Sequence, residues 1–190
     1  MPGDADATRK RLVAAATDEF AEFGIAGARV DRIAAAAQSN KAQIYHYFDS
    51  KDGLFDAVFT AMCAETVDDV PIDVTDLPEY AGRLFDSYEK RPYVQRLATW
   101  HRLERAGTGD APVALVLSSN KAKVAAIAAA QKRGDLPTSF SADELLGLVL
   151  HLSGFWSSNV PEYDALVTRK SAARRRKVVV AAVAKLISGD

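Results

Sequence analysis

The stretch AAAAQSNKAQIYHYFDSK, Ala34 to Lys51, decides how this chain is read. A run of small residues meets the polar break Gln38-Ser39-Asn40. A short segment dense in Lys, Gln, Tyr and His follows. Val30, Ile33, Ala34 and Ala37 recur at helical spacing, so a helix is predicted over about 29–37 with a narrow, small-residue inner face. Asn40 is a good N-cap, because its side-chain oxygen can accept an amide of the next turn. The next helix is then 41–48. Ile44 and Phe48 lie one turn apart and face inward, with Tyr47 beside them. Ala42, Tyr45 and His46 face the other way, flanked by Lys41 and Gln43.

A helix that reads a DNA major groove must be short, apolar on one face and hydrogen-bonding on the other, and its first turn must project. The 41–48 segment meets each condition. Lys41 and Gln43 are donors at its first turn. Tyr45 has a flat ring for a thymine methyl or sugar and a hydroxyl for phosphate, and His46 and Tyr47 add donors. Periodicity alone fits a three-helix bundle without a DNA role equally well. His46 also fits a solvated surface histidine, and Tyr47 a packing residue.

Outward from this stretch, Leu12, Ala16, Phe20 and Phe23 form an apolar stripe on a helix over about 5–23, and Gly24 stands where a left-handed helix end is expected. Ser50 caps a further helix from Lys51 to about Val67, with Leu54, Phe55, Val58, Phe59 and Met62 inward. The acidic, proline-marked stretch DDVPIDVTDLPEY breaks the chain. Helices are predicted beyond it at about 78–90, 92–106, 112–133, 141–158 and 161–188. The fold class is all-α.

The 190 residues are enough for a sizeable core, and 48% hydrophobic with 26% charged residues is a globular balance. A net charge of −1 puts any nucleic-acid role on a local surface rather than the whole chain. The single cysteine, Cys63, excludes an intramolecular disulfide and a cysteine zinc cluster, and reads as a small buried thiol. The N-terminus has no apolar signal segment, and no apolar run is long enough to span a bilayer, so a cytoplasmic location is expected. No metal-ligand spacing, phosphate loop or nucleophile elbow is present, so no metal, cofactor or catalytic residue is assigned.

Residues 8–61 resemble the DNA-binding domain of the TetR family of transcriptional regulators. The resemblance rests on the phenylalanine pair before Gly24, on Val30 and Ile33-Ala34, on IYHYF, and on SKDGLF. It implies a domain at 8–61 with a helix-turn-helix at about 29–48, and a helical regulatory and dimerisation domain at 62–190. Lys41, Ala42, Gln43 and Tyr45 would face bases or the adjoining backbone, and Tyr47 and Lys51 would hold phosphates. Asn40 keeps the cap, and Arg29 adds a cation at the start of the support helix. The family usually has Gly-Val-Ser at the break, where this chain has Gln38-Ser39-Asn40. Gln38 is therefore expected in a conformation that glycine takes without penalty, at roughly 1 kcal/mol. The family's threonine ahead of the support helix is replaced by Ala28-Arg29, and its glycine and threonine in the reading helix by Ala42 and Gln43. These departures leave the operator to be determined for this chain.

The resemblance also implies a small-molecule effector and a homodimer on palindromic double-stranded DNA. In the rear part, Tyr93, Trp100, His101, Asn120, His151 and Phe155 are candidates for an effector pocket, though aromatic residues at helical spacing fit core equally. Leu146, Leu150, Val179, Val183 and Leu186 are candidates for the dimer interface, because the last two helices are apolar nearly all round. The run RKSAARRRK, 169–177, reads as a solvated basic face. A ligand-released repressor is the leading function. A protein-binding adaptor or an all-α enzyme is the alternative.

Overall fold

The computed structural model describes residues 2–105, 111–157, 161–167 and 171–188. These residues form helices without strands: α1 (Pro2–Gly27), α2 (Val30–Ala36), α3 (Lys41–Phe48), α4 (Lys51–Asp69), α5 (Leu77–Lys90), α6 (Pro92–Glu104), α7 (Ala111–Arg133), α8 (Ala142–Gly154), α9 (Pro161–Val167) and α10 (Ala172–Ile187). The expected single helix over 161–188 is two helices, because Ser171 starts a new one by accepting the Arg174 amide on its hydroxyl.

The chain groups into two compact units. One is Met1–Glu65 with Tyr93–Leu115, and the other is Thr66–Pro92 with Val116–Asp190. The sequence division at 61/62 puts α6 with the rear part, and in this grouping α6 lies in the unit of the N-terminal helices.

In the first unit, Leu12, Ala16, Phe20, Ile33, Ile44, Leu54, Phe55 and Val58 are buried, and Phe20 meets Phe55 edge-on at 5.2 Å. Phe23 departs from its expected stripe. It is exposed and lies under the Arg32 guanidinium, 4.2 Å from the ring centre. The reason is Gly24, whose φ of 71° and ψ of −179° break the helix just after Phe23. That conformation is essentially open only to glycine. A Cβ there would also sit 2.7 Å from Glu104 Oε1 and 2.9 Å from the Trp100 ring.

In the second unit, α5 packs against α8 and α10 around Leu77, Leu84, Phe85, Leu145, Val149 and Val183. Asp76 caps α5 by accepting the Glu79 amide at 3.0 Å. Gly82 lets α10 approach, since a Cβ there would lie 2.8 Å from the Arg176 guanidinium. That guanidinium bonds Glu79 and Asp86 on α5, and Arg175 bonds Glu89. Arg175 and Arg176 are thus ion-paired rather than a solvated basic face. Arg169 and Lys170 of the same run lie outside the described residues. Among the described residues no helix is long and apolar enough to cross a membrane.

Candidate nucleic-acid interface

The support helix α2 begins without a side-chain cap of its own, as Ala28-Arg29 predicts. A residue from α1 replaces it. Glu19, 9% exposed, accepts the Arg29 amide at 2.8 Å and pairs with the Arg32 guanidinium at 2.6 Å. Burial alone would raise the Glu19 carboxyl. The Arg32 side-chain bond, the Arg29 amide and both cations outweigh burial and hold it below its ordinary value. Sequence reading did not find Glu19. Its signal is an acid directly before Phe20 and one turn before Phe23.

The α2–α3 break is a Schellman turn. Gln38 N–H donates to Ala35 O at 3.1 Å, and Ser39 N–H to Ala34 O at 2.9 Å. The residue between cap and exit is Gln38, with φ of 51°. The left-handed backbone expected there is present, carried by glutamine in place of glycine. Arg11 Nε adds a bond to Ala37 O at 3.3 Å, tying the end of α2 to α1.

Asn40 caps α3 as predicted, its Oδ1 accepting the Gln43 amide at 3.0 Å. Ile44 and Phe48 are buried and seat the helix. Lys41, Ala42, Tyr45 and His46 are exposed, while Gln43 and Tyr47 are half-buried. Tyr45 is 49% exposed, so its ring stands free of the support. Tyr47 lies edge-on between His46 and Phe48, which makes it partly a packing residue. Lys41 Nζ is 2.6 Å from Asp31 on α2, an exposed pair that water screens. Arg9, which sequence reading missed, lies 5.4 Å over the Phe48 ring beside this face.

The exit from α3 is as tightly determined. Asp49 is the second non-glycine residue with a left-handed backbone, φ 62°. Ser50 Oγ accepts the Gly53 amide at 2.9 Å and caps α4 as predicted. A Cβ on Gly53 would come within 2.2 Å of Phe48 O, so the sharp turn demands glycine there. Lys51 Nζ donates to Ala26 O and Ala28 O, at 3.2 and 3.3 Å. It therefore clasps the α1–α2 connection as well as standing at the start of α4.

The effector-pocket candidates fall in different units. Tyr93, Trp100 and His101 are on α6 in the first. Trp100 Nε1 donates to Ala21 O at 3.3 Å, and His101 stacks on Phe59 with centroids 4.1 Å apart. Glu104 accepts the Ala26 amide at 2.9 Å, and Arg105 pairs with Asp52 at 2.7 Å. Trp100 and His101 thus hold α6 on α1 and α4. Tyr93 reaches Glu65 at 3.4 Å. In the second unit Asn120 is half-buried. His151 is exposed, its Nδ1 2.8 Å from Gly147 O of its own helix, and Phe155 is exposed beside Tyr163. His151 on α8 and Phe155 just after it are exposed rather than in the interior of that unit.

The dimer candidates need a similar correction. Leu146, Val179 and Val183 are 3%, 2% and 0% exposed within their own chain, so they belong to its core and have no surface to offer a partner. Leu150 and Leu186 are half-buried. Leu148 on α8 and Phe155 just after it are exposed. Both helices are apolar on more than one side, and periodicity cannot tell which side the chain itself covers.

Residues 12–58 match the family of bacterial regulatory proteins named tetR, and residues 76–185 match the tetracyclin repressor-like C-terminal domain. The HTH-type transcriptional repressor SCO4008 of Streptomyces coelicolor is 38% identical over 86% of this chain and 85% of its own. The HTH-type transcriptional repressor NicS of Pseudomonas putida is 36% identical over 50% of this chain and 49% of its own. The crystal structure of SCO4942 from Streptomyces coelicolor superposes with a TM-score of 0.86 at 37% identity, over 95% of this chain and 98% of that one. That of HlyIIR, a hemolysin II transcriptional regulator, shares the fold with a TM-score of 0.70 at 17% identity, over 98% and 99% of the two chains. With the reading helix capped and the turn before it formed, and with both domain families matched, the chain belongs to the TetR family of DNA-binding transcriptional regulators.

Proposed function

We propose that this regulator is a repressor that binds a palindromic operator as a homodimer and leaves it when a small effector binds. The observation that carries the DNA part is the outer face of α3. Lys41, Ala42, Tyr45 and His46 are exposed on a helix whose seat, cap and both flanking turns are fixed by bonds within the chain. Side chains held this way lose little freedom when they meet base edges. Gln43 adds a half-buried amide, and Arg29, Tyr47 and Lys51 border the same face. Asn40 acts through the cap rather than through a base.

The sense of regulation follows the relatives, two of which are named repressors. The dimer is supported by the exposed Leu148 on α8 and Phe155 just after it, because a self-complementary apolar face fits two-fold pairing. Two reading helices would then meet half-sites roughly 34–36 Å apart. Effector release is a shift of population toward a spacing of the heads that DNA does not fit.

Selection of bound sequences from a random duplex pool tests this reading. Enrichment of a palindrome, reduced in Tyr45→Ala and Lys41→Ala, is the expected result. No enrichment at low salt, where phosphate contacts are strongest, sinks it.

A further inference from the structure

Helix α5 carries Tyr80, Leu84 and Tyr88 on one face, with Arg83 one position off that line. Tyr80 is 0% exposed, and its hydroxyl has no hydrogen-bond partner among the described residues. Burial, with Tyr88 nearby and against the opposing pull of Arg83, pushes its phenol up to about 12, so the hydroxyl stays a donor. Arg83 Nε is also buried without a partner among the described residues. Asp73 lies within electrostatic range of Arg83 but is turned elsewhere, its carboxylate accepting the amide and hydroxyl of Thr75. Trp156, packed against the core that holds Tyr80, has a buried indole N–H without an acceptor among the described residues.

The other arginines along α5 each hold an acid, although Arg175 Nε is likewise buried without a partner among the described residues. Arg91 holds Asp69, Arg175 holds Glu89, and Arg176 holds Glu79 and Asp86. Arg83 alone among these four has no acid. Tyr80, Arg83 and Trp156 share one chemistry, since phenol, guanidinium and indole here all have a proton to give. Buried donors are almost always paired, so unpaired ones on α5 and on the core it packs against mark a place for acceptors from outside. One guanidinium among neutral donors suits a single negative charge with two acceptor oxygens better than a phosphate dianion. The neighbouring Leu84 suits an apolar body.

We propose that Tyr80 and Arg83, with Trp156 as a further donor, form the effector site, and that it takes a small organic acid with one carboxylate on an apolar body. This inference rests on the effector reading above and supplies its chemical class. The carboxylate would accept from Tyr80 Oη and the Arg83 guanidinium, with no covalent step.

The test uses the full-length protein with benzoate and hexanoate, their amides as neutral controls, and inorganic phosphate. Thermal unfolding reads binding, and anisotropy of a labelled operator reads release. An acid should raise the unfolding temperature, its amide should not, and phosphate should do less. Arg83→Gln and Tyr80→Phe should each weaken acid binding at least tenfold, about 1.4 kcal/mol. Free Tyr80→Phe should melt at the wild-type temperature or above, because it loses only an unpaired hydroxyl. Equal shifts from acid and amide, a dominant effect of phosphate, unchanged binding in both variants, or no shift from either acid overturn the proposal. So does a lower melting temperature for free Tyr80→Phe, which means that its hydroxyl is already satisfied. Acid binding that leaves operator affinity unchanged supports the site and sinks only the release step of the proposed function.

Discussion

The helix-turn-helix and the inner face of α5 treat their polar groups in opposite ways. Around α2 and α3, Glu19 takes the Arg29 amide and Arg32, Asn40 takes the Gln43 amide, and Lys51 takes two carbonyls. Along α5, Tyr80 and Arg83 keep buried donors with nothing to meet. The first region is finished within the chain and is rigid before DNA arrives. The second is incomplete in a way that a ligand could complete. A reader of sequence gains from being preorganised, and a sensor gains from having something left to bind.

Substitutions test that contrast. The largest effect is expected from Gly24→Ala, where a disallowed backbone and a clash with Trp100 and Glu104 act together. A loss of roughly 3 kcal/mol or more in denaturant unfolding is expected. A loss under about 1 kcal/mol would mean that the kink is not rigid.

Glu19→Gln should lower stability by about 2 kcal/mol at neutral pH, since it weakens bonds to a charged group. The sign with pH is defined. A carboxyl held below its ordinary 4.5 stabilises above that value, and its contribution disappears as pH falls through the lower folded value. The gap between wild type and Glu19→Gln should therefore be full above pH ~5 and shrink toward zero in stronger acid. A gap that is constant down to strong acid would sink the pairing.

Tyr45→Ala should weaken operator binding by about 1–3 kcal/mol, with unfolding stability changed by less than about 0.5 kcal/mol because the ring is not part of the core. Equal losses in binding and stability would assign Tyr45 to packing. The smallest effect is expected from Gln38→Gly. Relief of about 1 kcal/mol of left-handed strain is opposed by roughly 0.5–1 kcal/mol of extra backbone entropy in the unfolded chain. Equilibrium unfolding should place the variant within about 0.5 kcal/mol of wild type.

Much of the head was legible because its signals are local. Asn40, Ser50, the Ile44/Phe48 seat and the backbone of Gln38 each depend on residues within a turn or two. The unread parts depend on distant partners. Glu19 caps a helix that starts ten residues later, and α6 belongs with the head through Trp100, His101 and Glu104. Nothing in the periodicity of α6 names that partner. In the rear part, helices apolar on several sides hid which face was core, so Leu146, Val179 and Val183 were placed at a surface they do not reach. Tyr80 and Arg83 drew no notice there, since a tyrosine and an arginine on an amphipathic helix look ordinary until their hydrogen bonds are traced.

Cys63 has a consequence for experiment. It is the only thiol in the chain, it is buried in the unit that holds the helix-turn-helix, and burial pushes it up to about 11. A disulfide reagent in neutral buffer finds almost no thiolate to attack while α4 stays packed. Its labelling rate is therefore a native clock for opening of the DNA-reading half. It needs no engineered probe, and following it with and without operator would show how far DNA slows that opening.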